Sequence, residues 1–298
     1  MKPLSHPIDR NPPPGRDGFT LVELLVIIVV IAFLVAILIP ARAATGSKSK
    51  SILCWSNLRQ IMSAMMMYTH DNDNFFPPNP DDGNATPGHN WCAGLARRGR
   101  AEEFNPDILR DPTRCLLTTY LKTNVSVYRC AADTRMGRYT GADPAKQGTL
   151  VPVVRSISMN QAVGTDPYSP SYGKLPVHGP WLDNAHGHTR NGAWRTYGKT
   201  SQVVAPIPAK LWVIIEEDSY SINDASFGLG MNVAEWIDWP STLHSMGGVI
   251  TFADGHVELH QWTDARTRVV IPYNVARKLV PDSKDRLWLS ERTSARAN

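Results

Sequence analysis

The sequence predicts an α+β fold, in which a long N-terminal helix packs on an antiparallel β-sheet within an enlarged, loop-rich globular head. Three stretches lead to this prediction. Residues 19–39 are apolar apart from Thr20 and one glutamate, residues 54–68 space apolar side chains by four and three, and residues 244–262 alternate around an Asp-Gly pair. The first two patterns are typical of helices, and the third is typical of a β-hairpin.

The first stretch is long enough to cross a bilayer. At a helical rise of ~1.5 Å per residue, residues 19–39 span the ~30 Å hydrocarbon core. Their single charge is Glu23, and an acid inside a membrane usually has a partner and a task. We therefore predict a transmembrane helix over residues 19–40 and a second half of the same helix over residues 41–72.

Two other interpretations of this stretch remain open. Residues 41–43 read Ala-Arg-Ala, which is an A-x-A site for cleavage of an ordinary secretory signal. The length of the apolar run exceeds the ~7–15 residues of such signals, and Glu23 interrupts it, so this alternative is disfavoured. An uncleaved anchor without further processing is the other alternative.

The string GFTLVE at residues 18–23, followed by an apolar run that Pro40 closes, resembles the class III signal of bacterial type IV pilins and type II secretion pseudopilins. The resemblance implies that a prepilin peptidase cleaves between Gly18 and Phe19, removing residues 1–18 as a leader. It also implies N-methylation of the new Phe19 amine. Glu23 would then pair with the N-terminal amine of a neighbouring subunit, because two charges in lipid are tolerable when each neutralises the other.

The predicted orientation of the chain in the membrane rests on this resemblance, because the distribution of basic residues does not decide it. Three basic residues lie on each side of the apolar run: Lys2, Arg10 and Arg16 before it, and Arg42, Lys48 and Lys50 after it. The resemblance implies a single-pass protein of the bacterial cytoplasmic membrane, with a cytoplasmic N-terminus and an extracytoplasmic head over residues 73–298. Its partners would be the peptidase, the membrane and other pilin or pseudopilin subunits in a homo- or hetero-filament.

Composition excludes several classes of protein. Charged residues make up 19% and hydrophobic residues 42% of the 298 residues, which is ordinary for a globular chain. The net charge of +4 is too small to indicate nucleic-acid binding. The four cysteines have no C-x-x-C spacing, which disfavours a zinc site and allows up to two disulfides in three pairings: Cys54, Cys92, Cys115 and Cys130. Cys54 could instead be a buried free thiol on a helix face.

The Asp254-Gly255 pair predicts a two-residue type I′ hairpin turn, because both residue types tolerate a positive φ. This turn places Phe252 opposite Val257. One face of the hairpin would then carry the apolar residues Ile250, Phe252, Val257 and Leu259.

His244, nine residues and then Asp254-Gly255 form the motif that names the prepilin-associated H-X9-DG family, and this chain resembles that family. The string NLRQI at residues 57–61, Tyr68 and the Phe-Pro pair at residues 76–77 add to the resemblance, as does the string LWL at residues 287–289.

The residues offer weak support for chemistry in the head. His244, Asp254 and His256 could form a base dyad or hold zinc, but Asp254 is explained by the turn, and no G-x-S-x-G or H-E-x-x-H motif accompanies them. We therefore expect no catalytic residues, no metal site, no cofactor and no enzymatic activity.

The predicted function is structural, as a pseudopilin or pilin-like subunit of a type II secretion or type IV pilus-related system. The alternative is a membrane-tethered extracytoplasmic domain that binds a glycan, a solute or a metal. Such a domain would use the Trp- and His-rich residues 164–200, which include His186 and His188, and the acids at residues 216–218. Those acids more often belong to a solvated loop.

Overall fold

The computed structural model describes residues 20–81, 83–169, 174–269 and 277–297, except for the side chains of residues 35–47. The predicted leader, Gly18 and Phe19 lie outside the described residues. The chain forms two compact units, Met1–Gly46 and Ser47–Asn298.

The first helix, α1, is Leu21–Asp71. Asp73 and Asn74, just beyond its end, adopt left-handed backbone conformations with φ of 52° and 64°, which short polar side chains tolerate best. Within the described residues, no helix combines the length and apolarity that a membrane crossing needs. The predicted transmembrane range also includes Phe19 and the side chains of residues 35–40, which are outside the described set.

A five-stranded sheet forms the centre of the second unit. Its strands are β3 (Ile157–Asn160), β4 (Trp212–Glu216), β5 (Ser226–Phe227), β7 (Gly247–Phe252) and β8 (Val257–Gln261). They lie in the order β5-β3-β4-β7-β8. Neighbours pair antiparallel except for β3 and β5, which are parallel, so the sheet is mixed rather than purely antiparallel as predicted.

Smaller elements surround this sheet. Two further two-stranded sheets are β1 (Met136–Arg138) with β2 (Leu150–Pro152), and β6 (Glu235–Trp236) with β9 (Lys278–Leu279). Two short helices are α2 (Pro106–Arg110) and α3 (Lys284–Ser290). Single 3-10 turns are Ala101–Phe104, Leu116–Thr119, Val125–Tyr128, Pro144–Lys146, Pro180–Asp183, Thr200–Gln202 and Ala265–Thr267.

The C-terminal part of α1 packs into the larger of two apolar cores. The predicted stripe is buried there, with Cys54, Leu58, Ile61 and Met65 packed in one cluster with strand residues that include Ile214 and Val249. Burying each such side chain fully contributes about 1.5–3 kcal/mol, so the stripe is sufficient to hold this part of the helix on the sheet.

The second core is rich in tryptophan. It contains Trp212 and Ile215 from β4, Ile250 and Phe252 from β7, and Leu289 from α3. Since Ile250 and Val249 point to opposite faces of β7, this strand is buried on both sides. The sheet therefore separates the two cores.

The hairpin register differs from the predicted one. Thr251, not Phe252, lies opposite Val257, so the connection is a three-residue loop. Its turn closes from the Gly255 N–H to the Phe252 carbonyl at 2.9 Å, and Gly255 has a φ of 93° while Asp254 is outside the left-handed region. A type I′ turn needs positive φ at both central residues, whereas a three-residue loop with one left-handed glycine does not.

The shift by one residue changes which side chains share a face. Val257 and Leu259 now lie on the face of Thr251 and Val249, whereas Ile250 and Phe252 lie on the other face. The prediction of a single apolar face with Ile250, Phe252, Val257 and Leu259 was therefore wrong.

Candidate functional site

The N-terminus of α1 is closed by a reciprocal pair of hydrogen bonds. The Thr20 N–H donates to Glu23 Oε2 at 2.9 Å, and the Glu23 N–H donates to Thr20 Oγ1 at 3.3 Å. The Thr20 hydroxyl also donates to Glu23 Oε2 at 2.7 Å. This is a capping box, which satisfies backbone N–H groups that have no partner within the helix. Glu23, predicted to act in assembly, therefore has a partner within its own chain.

A second site lies in the interior of the head, where four potential metal ligands meet. They are Cys54 of α1, Cys130 in the turn after Val125–Tyr128, Glu216 at the end of β4 and His244 before β7. One ligand atom from each lies within 4.8 Å of the others, and all four residues are buried. The spacing along the chain predicted no zinc site, but the fold brings these residues together.

The closest approaches within this cluster are short. Cys54 Sγ and Cys130 Sγ are 3.3 Å apart, and Cys130 Sγ lies 3.4 Å from His244 Nε2. His244 Nε2 lies 3.1 Å from Glu216 Oε2. All four cysteines of the chain are buried and free, so the two sulfurs do not form a disulfide. They form a hydrogen-bonded pair of thiols.

Neighbouring groups fix the orientation of each ligand. His244 Nδ1 is 3.1 Å from Ser51 Oγ, one helical turn before Cys54. The Val249 N–H donates to Glu216 Oε2 at 2.9 Å. The sulfur atoms accept backbone N–H bonds, from Ala131 to Cys54 Sγ at 3.0 Å and from Ala132 to Cys130 Sγ at 3.3 Å. These donors favour the thiolate form of the sulfurs.

The proton affinities in the cluster follow from these contacts. The hydrogen bond between Cys54 and Cys130 outweighs burial and lowers the pKa of the Cys54 thiol to about 7. The same bond, together with burial, raises the pKa of Cys130. Burial alone lowers the pKa of His244, but the interactions with Cys54 and Glu216 are stronger and raise it to about 10. Cys54 is therefore the more readily ionised thiol.

The structure separates the residues of the H-X9-DG motif. His244 belongs to the buried cluster, whereas Asp254 Oδ1 lies 2.6 Å from His256 Nδ1 at the hairpin tip. Gly255 occupies the turn. The base dyad or zinc trio of His244, Asp254 and His256 that the sequence left open is not assembled, since the carboxylate beside His244 is Glu216.

The acids at residues 216–218 are buried rather than solvated, so the interpretation as a surface loop was wrong. Burial raises the pKa of Glu217 to about 8 and that of Asp218 to about 6.

His186 and His188 point to different partners, with His186 Nε2 2.9 Å from Asp81 Oδ2 and His188 Nδ1 2.8 Å from the His178 carbonyl.

Sequence reasoning singled out His244 but missed Cys54, Cys130 and Glu216 as its neighbours. A partial signal existed for Glu216. It follows Ile215, which lies in the tryptophan core, so strand alternation places Glu216 on the opposite face, toward α1. For Cys130, no spacing in the sequence indicates the contact.

Residues 14–39 match the family model of the prokaryotic N-terminal methylation motif. The chain therefore carries a prepilin-type processing segment. Gly18, Phe19 and Glu23 all fall inside the match, and the head lies outside it. No curated protein and no solved structure matches the chain.

Proposed function

We propose that this chain is a structural subunit of a filament of the type IV pilus or type II secretion class, a pseudopilin of the H-X9-DG family. The observation that supports this proposal is the methylation motif over residues 14–39, which overlaps the first part of the 51-residue helix α1. In this proposal the subunit is anchored once in the cytoplasmic membrane, with the head outside the cytoplasm. The head is assigned no catalytic activity.

The reactions that prepare the chain for assembly modify its N-terminal segment. Cleavage after Gly18 creates an amine at Phe19, and methylation keeps that nitrogen cationic. Glu23 follows Phe19 by four residues in the sequence. The carboxylate would exchange its bonds to Thr20 for the amine of an adjacent subunit, so that two helices enter the bilayer as a neutral pair.

Processing is tested by the mass of the N-terminal peptide after expression with a prepilin peptidase. We expect a peptide that begins at N-methylated Phe19 in the membrane fraction. A peptide that begins at Met1 or Ala44 contradicts the proposal, because the chain would then be a plain anchor or a secreted protein. Expression without the peptidase is the control and should yield the unprocessed peptide.

Assembly is tested by separating the charge of Glu23 from its capping role. In Glu23→Gln the capping box is retained, since glutamine also serves at this position, but the charge is lost. In Thr20→Ala the cap is lost and the charge is kept. We expect Glu23→Gln to abolish incorporation into filaments and Thr20→Ala to permit it. The reverse result would show that Glu23 acts only as a cap.

A second candidate function is a tethered domain that binds a solute or glycan. It is favoured by a surface cavity of about 260 Å³ whose lining includes Asp81, Asp166, Tyr168 and His178. Such a domain predicts ligand-dependent thermal shifts of the detergent-solubilised, monomeric chain, and these shifts should disappear in Asp166→Asn. A purely structural subunit shows no such shift.

A further inference from the structure

We infer that Cys54, Cys130, Glu216 and His244 form a binding site for one zinc ion, which joins α1 to the sheet of the head. The inference rests on the geometry and chemistry of this cluster alone. It is independent of the proposed filament function.

The positions of the ligand atoms fit a four-coordinate zinc ion. Zinc binds sulfur at ~2.3 Å and nitrogen or oxygen at ~2.0–2.2 Å, so the atoms around a tetrahedral ion lie about 3.3–3.8 Å apart. In the cluster the sulfurs are 3.3 Å apart, Cys130 Sγ is 3.4 Å from His244 Nε2, and that nitrogen is 3.1 Å from Glu216 Oε2. Small movements of the side chains would admit the ion, since the four ligand atoms already lie within 4.8 Å of one another.

The burial of the cluster favours a cation at its centre. A carboxylate removed from water needs a compensating charge, and the ion-pair partner of Glu216 among the described residues is His244. Two thiolates and one carboxylate around a divalent ion leave a net charge of about −1, which the two N–H···S bonds from Ala131 and Ala132 help to disperse.

The ligand types select the metal. Magnesium and calcium prefer sets of oxygen ligands, whereas thiolate and imidazole ligands in a tetrahedral arrangement are typical of zinc. Because four protein ligands fill the coordination sphere, the site has the composition of a structural zinc centre rather than a catalytic one.

Ser51 is a positioning residue for this site. Its hydroxyl oxygen, 3.1 Å from His244 Nδ1, can accept the Nδ1 proton, so that Nε2, on releasing its own proton, presents a lone pair to an ion beside the sulfurs and Glu216. Metal-binding histidines commonly make a hydrogen bond of this kind through their second nitrogen. Since Ser51 and Cys54 lie one turn apart on α1, the helix supplies both a ligand and an orienting group.

The test uses the full chain, purified in mild detergent under reducing conditions, stripped with a chelator and titrated with Co²⁺ and then Zn²⁺. We expect one cobalt ion per chain, with a thiolate-to-cobalt charge-transfer band and the intense visible bands of a tetrahedral ion. One equivalent of zinc should remove both. Chain isolated without chelator should contain about one zinc ion by elemental analysis.

Variants locate the site. We expect Cys130→Ser and His244→Gln to lose the charge-transfer band or stoichiometric binding, and Cys115→Ser to keep both. Cys115 is the matched control because it is also a buried free thiol but contacts Tyr128 and Trp91 instead. Ser51→Ala should keep the tetrahedral spectrum while weakening zinc affinity by roughly 10–100-fold.

The unmutated chain alone can overturn the inference, so the test does not depend on the variants folding. Failure of the reduced chain to bind cobalt, or binding with the weak spectrum of an octahedral ion without charge transfer, contradicts it. So does a Cys54–Cys130 disulfide in the isolated chain that, once reduced, takes up no metal. In that case the pair is a redox couple and not a metal site.

Discussion

Two of the histidine–carboxylate pairs in the head lie near opposite ends of β7, and their environments are opposite. His244 and Glu216 are 3.1 Å apart with side chains 1% and 0% exposed, whereas His256 and Asp254 are 2.6 Å apart with side chains 42% and 36% exposed. The shorter contact is the weaker one, because water screens an exposed pair and competes with it. Removing one partner of a buried pair leaves an uncompensated group in the interior.

The largest effect is expected for His244→Ala. Glu216 would lose its partner while staying buried, so we expect a loss of about 3–5 kcal/mol in the free energy of unfolding. Urea unfolding of the detergent-solubilised chain, followed by tryptophan fluorescence, measures it. A loss below about 1 kcal/mol would show that burial does not distinguish the two pairs.

Gly248→Ala tests the strand that connects the two pairs. A Cβ at residue 248 would lie 2.8 Å from the Ser241 carbonyl oxygen, and backbone cannot move aside cheaply. We expect a loss of about 1–3 kcal/mol from overpacking, measured by the same unfolding assay. Gly187→Ala is the control, since its new Cβ would meet only the end of the Asp183 side chain at 3.1 Å. Similar losses in both variants would contradict the steric explanation.

Gly255→Ala probes the exposed end. A Cβ there meets no atom within 4 Å, so the cost comes only from the φ of 93° and should be about 1–2 kcal/mol. Gly255→Asn should recover part of the loss, because asparagine enters left-handed conformations more readily. Equal unfolding free energies for the alanine and asparagine variants would argue against backbone strain.

The smallest effect is expected for His256→Ala. An exposed pair contributes about 0–1 kcal/mol, and the contribution of its charges falls as salt is added. Unfolding curves at low and high salt should therefore differ little between this variant and the unmutated chain. A loss comparable to that of His244→Ala would show that burial does not determine the strength of the two pairs.

Local patterns predicted the local parts of this fold. The apolar spacing over residues 54–65 placed four side chains of α1 in the core, and Asp254-Gly255 marked a hairpin. The register was missed by one residue because the φ of Asp254 decides the turn type, and the sequence does not contain it. The parallel pairing of β5 was missed because a two-residue strand has no periodicity.

The buried cluster was beyond sequence reasoning for a different reason. Cys54, Cys130 and His244 are brought together by the packing of α1 on the sheet, across separations of 76 and 114 residues. Strand pairing and helix docking determine such contacts, and neither follows from the residues near each ligand. The N-terminal segment shows the contrast, since the string GFTLVE is contiguous and its family match needed no fold.

The wide separation of the cluster residues also means that the ribosome completes them at different times. Cys54 and Cys130 are both made long before His244, and Ser51 must wait for a residue 193 positions further on. Closing such loops costs conformational entropy, and contacts between distant residues form slowly. Until His244 and Glu216 reach them, the two thiols have neither the imidazole nor the carboxylate beside them. An oxidant could then react with the pair. The contacts of His244 with Ser51 and Cys130 therefore complete the environment of the two thiols.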